Sequence, residues 1–201
     1  MKTLNPTIRL VTASLFIAFT CVATMVIQIP TTATMGYIHI GDTFVILSGI
    51  FLGPLLGGLA AGIGSLLADA LSGYVIFIIP TFLIKFASAF LCGYIFRILR
   101  NKKRTPDFLA FLTAAFIAEI NVILGYFLNS IVLSLISNAS ASKETITAGI
   151  SAGILGLFPN SIQAIVGIFL AATLFPLLIK IPTIGEFIPK KQSSLHKKKK
   201  Y

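Results

Sequence analysis

The stretch GYIHIGDTF, residues 36–44, places a histidine and an aspartate in a chain whose other residues are mostly apolar. It is followed by GSLLADALSGY, residues 64–74, and by Lys85. Charged groups inside a lipid bilayer are costly, and they mark functional sites by default. These residues therefore predict the end of a helix bundle at which a small polar molecule binds.

The composition outside this stretch predicts an integral membrane protein. Of 201 residues, 56% are hydrophobic and 11% are charged, and the mean hydropathy is +0.96. A soluble domain has about 25% charged residues. Because the shortfall extends over the whole length, we expect one all-α, polytopic membrane domain over residues 1–189 and a basic cytoplasmic tail over residues 190–201.

The apolar runs predict a bundle of six transmembrane helices, since each crossing needs about 20 apolar residues. We expect Thr31–Gly41 to form a polar loop and Asp42 to cap helix two. The last apolar run, Ile146–Ile179, is too long for one crossing, so its spanning part is expected to start near Pro159. Residues 146–157 then form either a short outer segment or a kinked extension. The six predicted helices are Leu10–Ile29, Asp42–Gly53, Pro54–Ser72, Thr81–Ile98, Pro106–Ile136 and Pro159–Ile179.

The basic residues predict how the chain is oriented. The net charge is +10, and most basic residues lie in three regions that the positive-inside rule assigns to the cytoplasm. Both termini are then cytoplasmic, which agrees with an even number of crossings. We interpret the lysine-rich tail as a topology signal that contacts lipid, in preference to a nucleic-acid-binding segment. The three regions are Lys2 with Arg9, residues 97–104, and residues 180–200.

Polar side chains near the outer ends of several helices predict a ligand cavity. Asp69 and Lys85 are close enough in sequence to pair across a short loop, either as a structural ion pair or as part of a pocket. Glu119 and Tyr126 share one face of helix five, and Asn160 and Gln163 lie one turn apart on helix six. Polar groups at membrane depth must face protein or water. Their convergence therefore indicates a mostly apolar cavity with a few orienting groups.

Several other chemistries are disfavoured. The two histidines, His39 and His196, are too few for a metal site of three or four ligands. Ser65 has no neighbouring base that would make it a nucleophile, so we expect no catalytic residues, no enzyme activity and no cofactor. Cys21 and Cys92 lie in apolar runs and are interpreted as core residues. Glycines at small-xxx-small spacing in helix three predict close helix packing.

The motifs as a set resemble a known family. GY-x-x-x-GD (residues 36–42), LAD (67–69), P-T-x-x-x-K (80–85) and PN-x-x-Q (159–163) are similar to those of the substrate-binding S components of energy-coupling factor (ECF) vitamin transporters. The resemblance is to the riboflavin-type subgroup, which also takes in proteins assigned to hydroxymethylpyrimidine or pyridoxine. It extends over nearly the whole chain, and residues 36–85 are its specific part.

The resemblance implies a function and a set of partners. Such proteins are six-helix subunits of bacterial cell membranes that capture a small water-soluble vitamin at the outer face. They lack ATPase activity and associate with a transmembrane T component and two ATP-binding subunits. Some residues of the predicted substrate-binding set are carried over by motif, and the others are added from loop position or helix geometry. The whole set is Tyr37, His39, Asp42, Asp69, Lys85, Glu119, Tyr126, Asn160 and Gln163.

The sequence leaves alternatives for the docking surface on helix one and for the class of transporter. Ser14 and Ala18 have the spacing of the Ala-xxx-Ala pattern through which S components dock the T component, but this face of helix one is equally suited to packing inside the bundle. The alternative function is a stand-alone, proton-coupled secondary transporter that uses Asp69, Lys85 or Glu119 as a proton relay. As the substrate, pyridoxine or hydroxymethylpyrimidine is favoured over riboflavin, because a flavin needs a larger and more aromatic cavity.

Overall fold

The computed structural model describes residues 5–31, 36–101, 105–139 and 141–188. In the described residues, five long helices and the shorter α2 form the bundle, and a β-hairpin connects α1 to α2. The predicted basic tail, residues 190–201, and the basic residues Lys2 and 102–104 lie outside the described residues. The helices are α1 (Pro6–Val26), α2 (Asp42–Leu52), α3 (Pro54–Leu71), α4 (Ile78–Asn101), α5 (Asp107–Asn138), α6 (Lys143–Leu178) and the short α7 (Pro182–Gly185), and the strands are β1 (Ile29–Thr31) and β2 (Gly36–Ile38).

Five of the described helices are long and apolar enough to cross a membrane, namely α1, α3, α4 with its preceding turn, α5 and α6. The predicted second span, α2, has only 11 residues. It is about 16 Å long, against a hydrocarbon thickness of about 30 Å. Helices α1, α3, α4 and α6 all pack against α2, and nearly all of its residues are buried. The protein is therefore an all-α, multi-pass membrane protein with one short, enclosed helix.

Glycines let α3 approach its neighbours closely, as the small-xxx-small spacing predicted. A Cβ atom on Gly57 would lie 2.4 Å from the Ser48 carbonyl oxygen of α2, and one on Gly64 would lie 2.7 Å from the Ile17 carbonyl oxygen of α1. Before α3, the chain reverses at Gly53, whose φ is +86°. L-residues rarely adopt that conformation, so the glycine permits the tight turn between α2 and α3.

The long apolar run near the C-terminus forms one uninterrupted helix. Helix α6 begins at Lys143 and contains both Pro159 and Pro176. The prediction that the helix starts near Pro159 is therefore wrong, and residues 146–157 are a helical extension. Prolines are tolerated inside membrane helices where neighbouring helices satisfy the freed backbone groups. Helix α5 supplies such a neighbour, because α6 packs extensively against it.

A small antiparallel hairpin replaces the predicted polar loop between the first two helices. Strands β1 and β2 pair with Ile29 opposite Ile38 and Pro30 opposite Tyr37. The prediction that Asp42 caps helix α2 is also wrong, because the N-cap is Gly41 and Asp42 is the first helical residue. Its carboxylate is occupied by other side chains, as described below. We call the end of the bundle that carries the hairpin the hairpin end, and the end that carries Gly53 the turn end.

Aromatic rings and small residues fill the core toward the turn end. The Phe175 ring lies 4.6 Å from the Phe111 ring, and 6.0 Å from each of the rings of Phe51 and Phe96, measured between centroids. All four side chains are buried. The two cysteines are buried and free, as predicted from their apolar surroundings.

Candidate ligand-binding site

A cavity lies beneath the hairpin, between strand β2 and helices α3 to α6. Its volume is about 50 Å³, which holds a few water molecules and is far below the roughly 300–1,000 Å³ of a typical small-molecule pocket. The site therefore has little free space in this conformation. The residues that line it are Thr31, Gly36, Tyr37, Ile38, His39, Asp69, Phe77, Thr81, Tyr126, Asn129, Ser130, Pro159, Asn160 and Gln163.

On one side of the cavity, one hydroxyl contact links the hairpin to α3 and another links α4 to α5. The Tyr37 hydroxyl donates to Asp69 Oδ1 at 2.7 Å, and the Tyr37 ring lies 4.4 Å from the Tyr74 ring between centroids. The hydroxyls of Thr81 in α4 and Tyr126 in α5 lie 3.1 Å apart. These contacts occupy much of the space between the walls.

One amide side chain connects the hairpin to the helices on the other side. The backbone N–H of His39 donates to Gln163 Oε1 at 3.1 Å, and Gln163 Nε2 donates to Asp42 Oδ2 at 2.7 Å. Gln163 is buried, and both ends of its amide are bonded. A single residue of α6 thus positions both the hairpin and the first residue of α2.

A buried ion pair lies beneath the cavity. Lys85 Nζ lies 2.5 Å from Asp42 Oδ1, and both side chains are 0% exposed. The ammonium group also lies 5.3 Å from the centroid of the Tyr126 ring. The predicted pairing of Lys85 with Asp69 is therefore wrong. The Asp69 carboxylate is engaged by Tyr37, whereas Asp42 faces Lys85 and Gln163 and so receives two donors.

Glu119 lies in the same buried layer but has no bonded partner. Its side chain is 2% exposed, and neither carboxylate oxygen has a hydrogen-bond partner among the described residues. Glu119 and Tyr126, which were predicted to share one face of α5, therefore lie at different depths. Tyr126 lines the cavity, whereas Glu119 does not. Asn121, two residues further along α5, donates to Ser88 Oγ at 2.8 Å.

Burial sets the protonation of two hairpin side chains. Burial is the main cause that lowers the pKa of His39 to about 4, although the nearby Asp42 carboxylate opposes it. The neutral imidazole accepts the Gly41 N–H at Nδ1, at 3.0 Å. Burial, followed by the Asp69 carboxylate, raises the pKa of Tyr37, so its hydroxyl remains a donor at neutral pH.

The structure gathers the nine predicted binding residues at one end of the bundle, but in two layers. Asp42, Lys85 and Glu119 lie in the buried layer, beneath the cavity. The side chains of Ser14 and Ala18 are exposed on α1, so they do not pack inside the described bundle. The predicted residues that line the cavity are Tyr37, His39, Asp69, Tyr126, Asn160 and Gln163.

Sequence reasoning missed several cavity residues. Thr81 belongs to the P-T-x-x-x-K motif, and Asn129 lies three residues after Tyr126, on the same side of α5. Both positions carried a usable signal. Phe77 carried a weaker signal, because its place in the loop between Gly73 and Pro80 predicts an outer-facing aromatic residue but not a contact with the cavity. Within the described ranges, no group of three or more His, Cys, Asp or Glu residues lies close enough to hold a metal ion.

The chain is similar to known proteins in fold and in sequence. An S component of a bacterial ECF transporter has a similar fold, with a TM-score of 0.57, 21% identity, and coverage of 87% of this chain and 99% of that one. An uncharacterized protein from a gap 3′ region of Pyrococcus woesei is 34% identical over 105 residues, which are 52% of this chain. The match covers 66% of that relative, just under two thirds of its length.

The family profile of the S component of ECF-type riboflavin transporters matches residues 5–180, which include every helix from α1 to α6. The match contains the motifs at residues 36–42, 80–85 and 159–163, whose side chains form the cavity and the layer beneath it. By this match, the chain belongs to the family of ECF-type riboflavin transporter S components.

Proposed function

We propose that the protein captures a small water-soluble vitamin, or a vitamin precursor, in the cavity beneath the hairpin. One observation carries this proposal. In a bundle that is otherwise apolar, polar side chains from β2 and from α3, α4, α5 and α6 surround one small cavity. Sites for small molecules use fixed polar groups to orient the ligand, and most of the residues that line this cavity are polar, so it is more polar than the mostly apolar cavity that the sequence predicted.

The size and lining of the cavity favour a small heteroaromatic alcohol, either pyridoxine or hydroxymethylpyrimidine. At about 50 Å³ the cavity has to widen for any vitamin, and a flavin requires the larger displacement. Movement of the hairpin would widen the cavity, and it would require the hydrogen bonds of Tyr37 to Asp69 and of the His39 backbone to Gln163 to open. Riboflavin remains the direct competitor, since the family profile is that of riboflavin transporters.

The hairpin end is proposed to face the outside of a bacterial cell, with both termini in the cytoplasm. Delivery of the vitamin then requires a transmembrane T component and two ATP-binding subunits. The exposed side chains of Ser14 and Ala18 make α1 a candidate surface for the T component. The basic residues Arg97 and Arg100, at the far end of α4, support this orientation.

Identification of the co-purified small molecule tests the proposal. The protein is purified in detergent, its bound molecule is identified by mass spectrometry, and pyridoxine, hydroxymethylpyrimidine and riboflavin are titrated by calorimetry. Asn160→Leu is expected to weaken binding at least tenfold, because Asn160 lines the cavity. Asn138→Leu, at the exposed end of α5, is the matched control and is expected to bind normally. Absence of binding by all three compounds would contradict the proposal.

The alternative is a stand-alone secondary transporter driven by protons. The unpartnered carboxyl group of Glu119 is the observation that favours it, because buried ionisable groups in membranes often relay protons. Vitamin uptake is measured in cells with and without the T component and the ATP-binding subunits. We expect uptake to disappear without them. Uptake that persists and follows the proton gradient would establish the alternative.

A further inference from the structure

Asp69 presents one unused hydrogen-bond acceptor beside the cavity. The residue lies in the last turn of α3, its side chain is 3% exposed, and it lines the cavity. Oδ1 accepts the Tyr37 hydroxyl, and Thr81 is a second neighbour of the carboxyl group. Oδ2 is buried and accepts no hydrogen bond from any residue that the structure describes. Buried acceptors without donors are unfavourable and rare, so a ligand donor is the natural partner.

None of the described residues that line the cavity is a cation that could pair with this carboxyl group. Lys85 is fully buried beneath the cavity and is paired with Asp42. His39 is neutral at pH 7, because burial lowers its pKa to about 4. Among the lining residues that the structure describes, Asp69 therefore carries the one carboxyl group, and none of the others is a cation at neutral pH.

From this geometry we propose that Asp69 Oδ2 accepts a hydrogen bond from an N–H group or a protonated ring nitrogen of the ligand. The site then selects the neutral or cationic form of the vitamin and rejects its phosphate ester. This inference rests on the proposed function and specifies its substrate chemistry. An aminopyrimidine or a pyridinium fits the requirement directly, and the aromatic side chains of Tyr37, Phe77 and Tyr126 provide flat surfaces for such a ring.

A comparison of ligands with the unmodified protein tests the inference. Pyridoxine, hydroxymethylpyrimidine and riboflavin are each titrated at pH 7.5 beside their phosphate esters. A phosphate monoester carries a charge of about −1.5 to −2 at this pH. For the vitamin that binds most tightly, we expect the ester to bind at least tenfold more weakly. Equal or tighter binding of the ester would overturn the inference while leaving vitamin capture intact. Binding of none of the six compounds would overturn both.

The variant Asp69→Asn separates charge from size. The new amide can still accept the Tyr37 hydroxyl, but it presents an N–H donor where Oδ2 stood. For this variant we expect vitamin binding to weaken at least tenfold. We also expect the ratio of the affinity for the vitamin to the affinity for its phosphate ester to fall below threefold. A cavity that rejects phosphate by size alone would keep the original preference in the variant, which would contradict the inference.

A matched control variant is Glu144→Gln, which neutralises a carboxylate at the exposed start of α6, outside the cavity. We expect this variant to retain the vitamin affinity of the unmodified protein and its preference for the vitamin over the phosphate ester. Size-exclusion chromatography and thermal unfolding establish whether Asp69→Asn is folded. If it is not, the comparison of vitamin and ester in the unmodified protein decides the inference.

Discussion

The side chains that fill the hairpin end and the turn end of the bundle are buried, but different interactions hold them in place. At the hairpin end, Lys85, Asp42 and Gln163 are held by directed contacts of 2.5 to 2.7 Å. At the turn end, Phe175 packs among other rings at centroid distances of 4.6 to 6.0 Å. Hydrogen bonds depend on direction, whereas ring packing depends on shape and volume. The hairpin end can therefore select a ligand, and the turn end mainly supplies stability.

Breaking the buried ion pair should have the largest effect. Lys85→Met leaves the Asp42 carboxylate buried without its cation, and such changes typically cost about 3–5 kcal/mol. We expect thermal unfolding in detergent to shift strongly downward and vitamin binding to be lost. Circular dichroism during heating and calorimetric titration measure the two effects.

The double variant Lys85→Met with Asp42→Asn is the control, because it removes both charges together. It should recover part of the lost stability. If the double variant is as unstable as the sum of the two single variants, then the pair does not act as a unit and the comparison between the two ends weakens.

A change of volume at the turn end should reduce stability alone. Phe175→Leu leaves empty space among Phe51, Phe96 and Phe111, and we expect a loss of about 1–3 kcal/mol. Vitamin affinity, measured below the unfolding temperature, should stay within twofold of the unmodified protein. A large loss of affinity would show that the two ends are coupled.

Acidification should lower stability modestly through His39. Its pKa is lowered to about 4 in the folded protein, mainly by burial, against about 6.5 in an unfolded chain. The folded protein therefore has its full stability well above pH 6.5, where His39 is neutral in both the folded and the unfolded state. It loses stability as the pH falls toward 4, because the unfolded chain binds a proton that the folded protein does not. At pH 5.5 we expect a loss of about 1 kcal/mol.

The matched control for this pH dependence is His39→Asn, whose side-chain oxygen can replace Nδ1 as the acceptor for the Gly41 N–H without titrating. Unfolding temperatures of both proteins are compared at pH 7.5 and pH 5.5. An equal pH response in the two proteins would assign the effect to other groups, such as Asp42 or Asp69.

Neutralising Glu119 should have the smallest effect. Because neither of its oxygens is bonded within the described structure, Glu119→Gln removes no observed hydrogen bond. We expect the free energy of unfolding to change by less than about 1 kcal/mol. Asp42→Asn is the matched comparison and should be clearly less stable. A large loss in Glu119→Gln would indicate that Lys85 depends on both carboxylates.

The residues of the site were predictable from sequence because polar groups are conspicuous in an apolar chain. Tyr37, Asp69, Asn160 and Gln163 were selected for that reason, together with their motifs, and all four line the cavity. Phe77 was missed because aromatic residues are common throughout the chain. The hairpin was missed because its strands have only three residues each, which is too short for a recognisable alternation.

The pairing of charges was not predictable, because it depends on positions in three dimensions. Asp69 is nearer than Asp42 to Lys85 in sequence, and proximity favoured the wrong pair. The close approach of α2 to α4 brings Asp42 to Lys85 instead. Likewise, Pro159 was taken as a helix start, whereas packing along α5 lets the helix continue through it.

The sequence by itself determined that this protein is a multi-pass helical membrane protein, because an apolar composition of this length has no stable alternative in water. It also indicated which polar residues gather around the cavity, because membrane burial makes each of them costly. Only the tertiary structure decided which residues touch, that neighbouring helices enclose α2, and that one oxygen of Asp69 has no hydrogen-bond partner among the described residues. Those outcomes depend on helix contacts between distant parts of the chain, and local sequence patterns contain no record of such contacts.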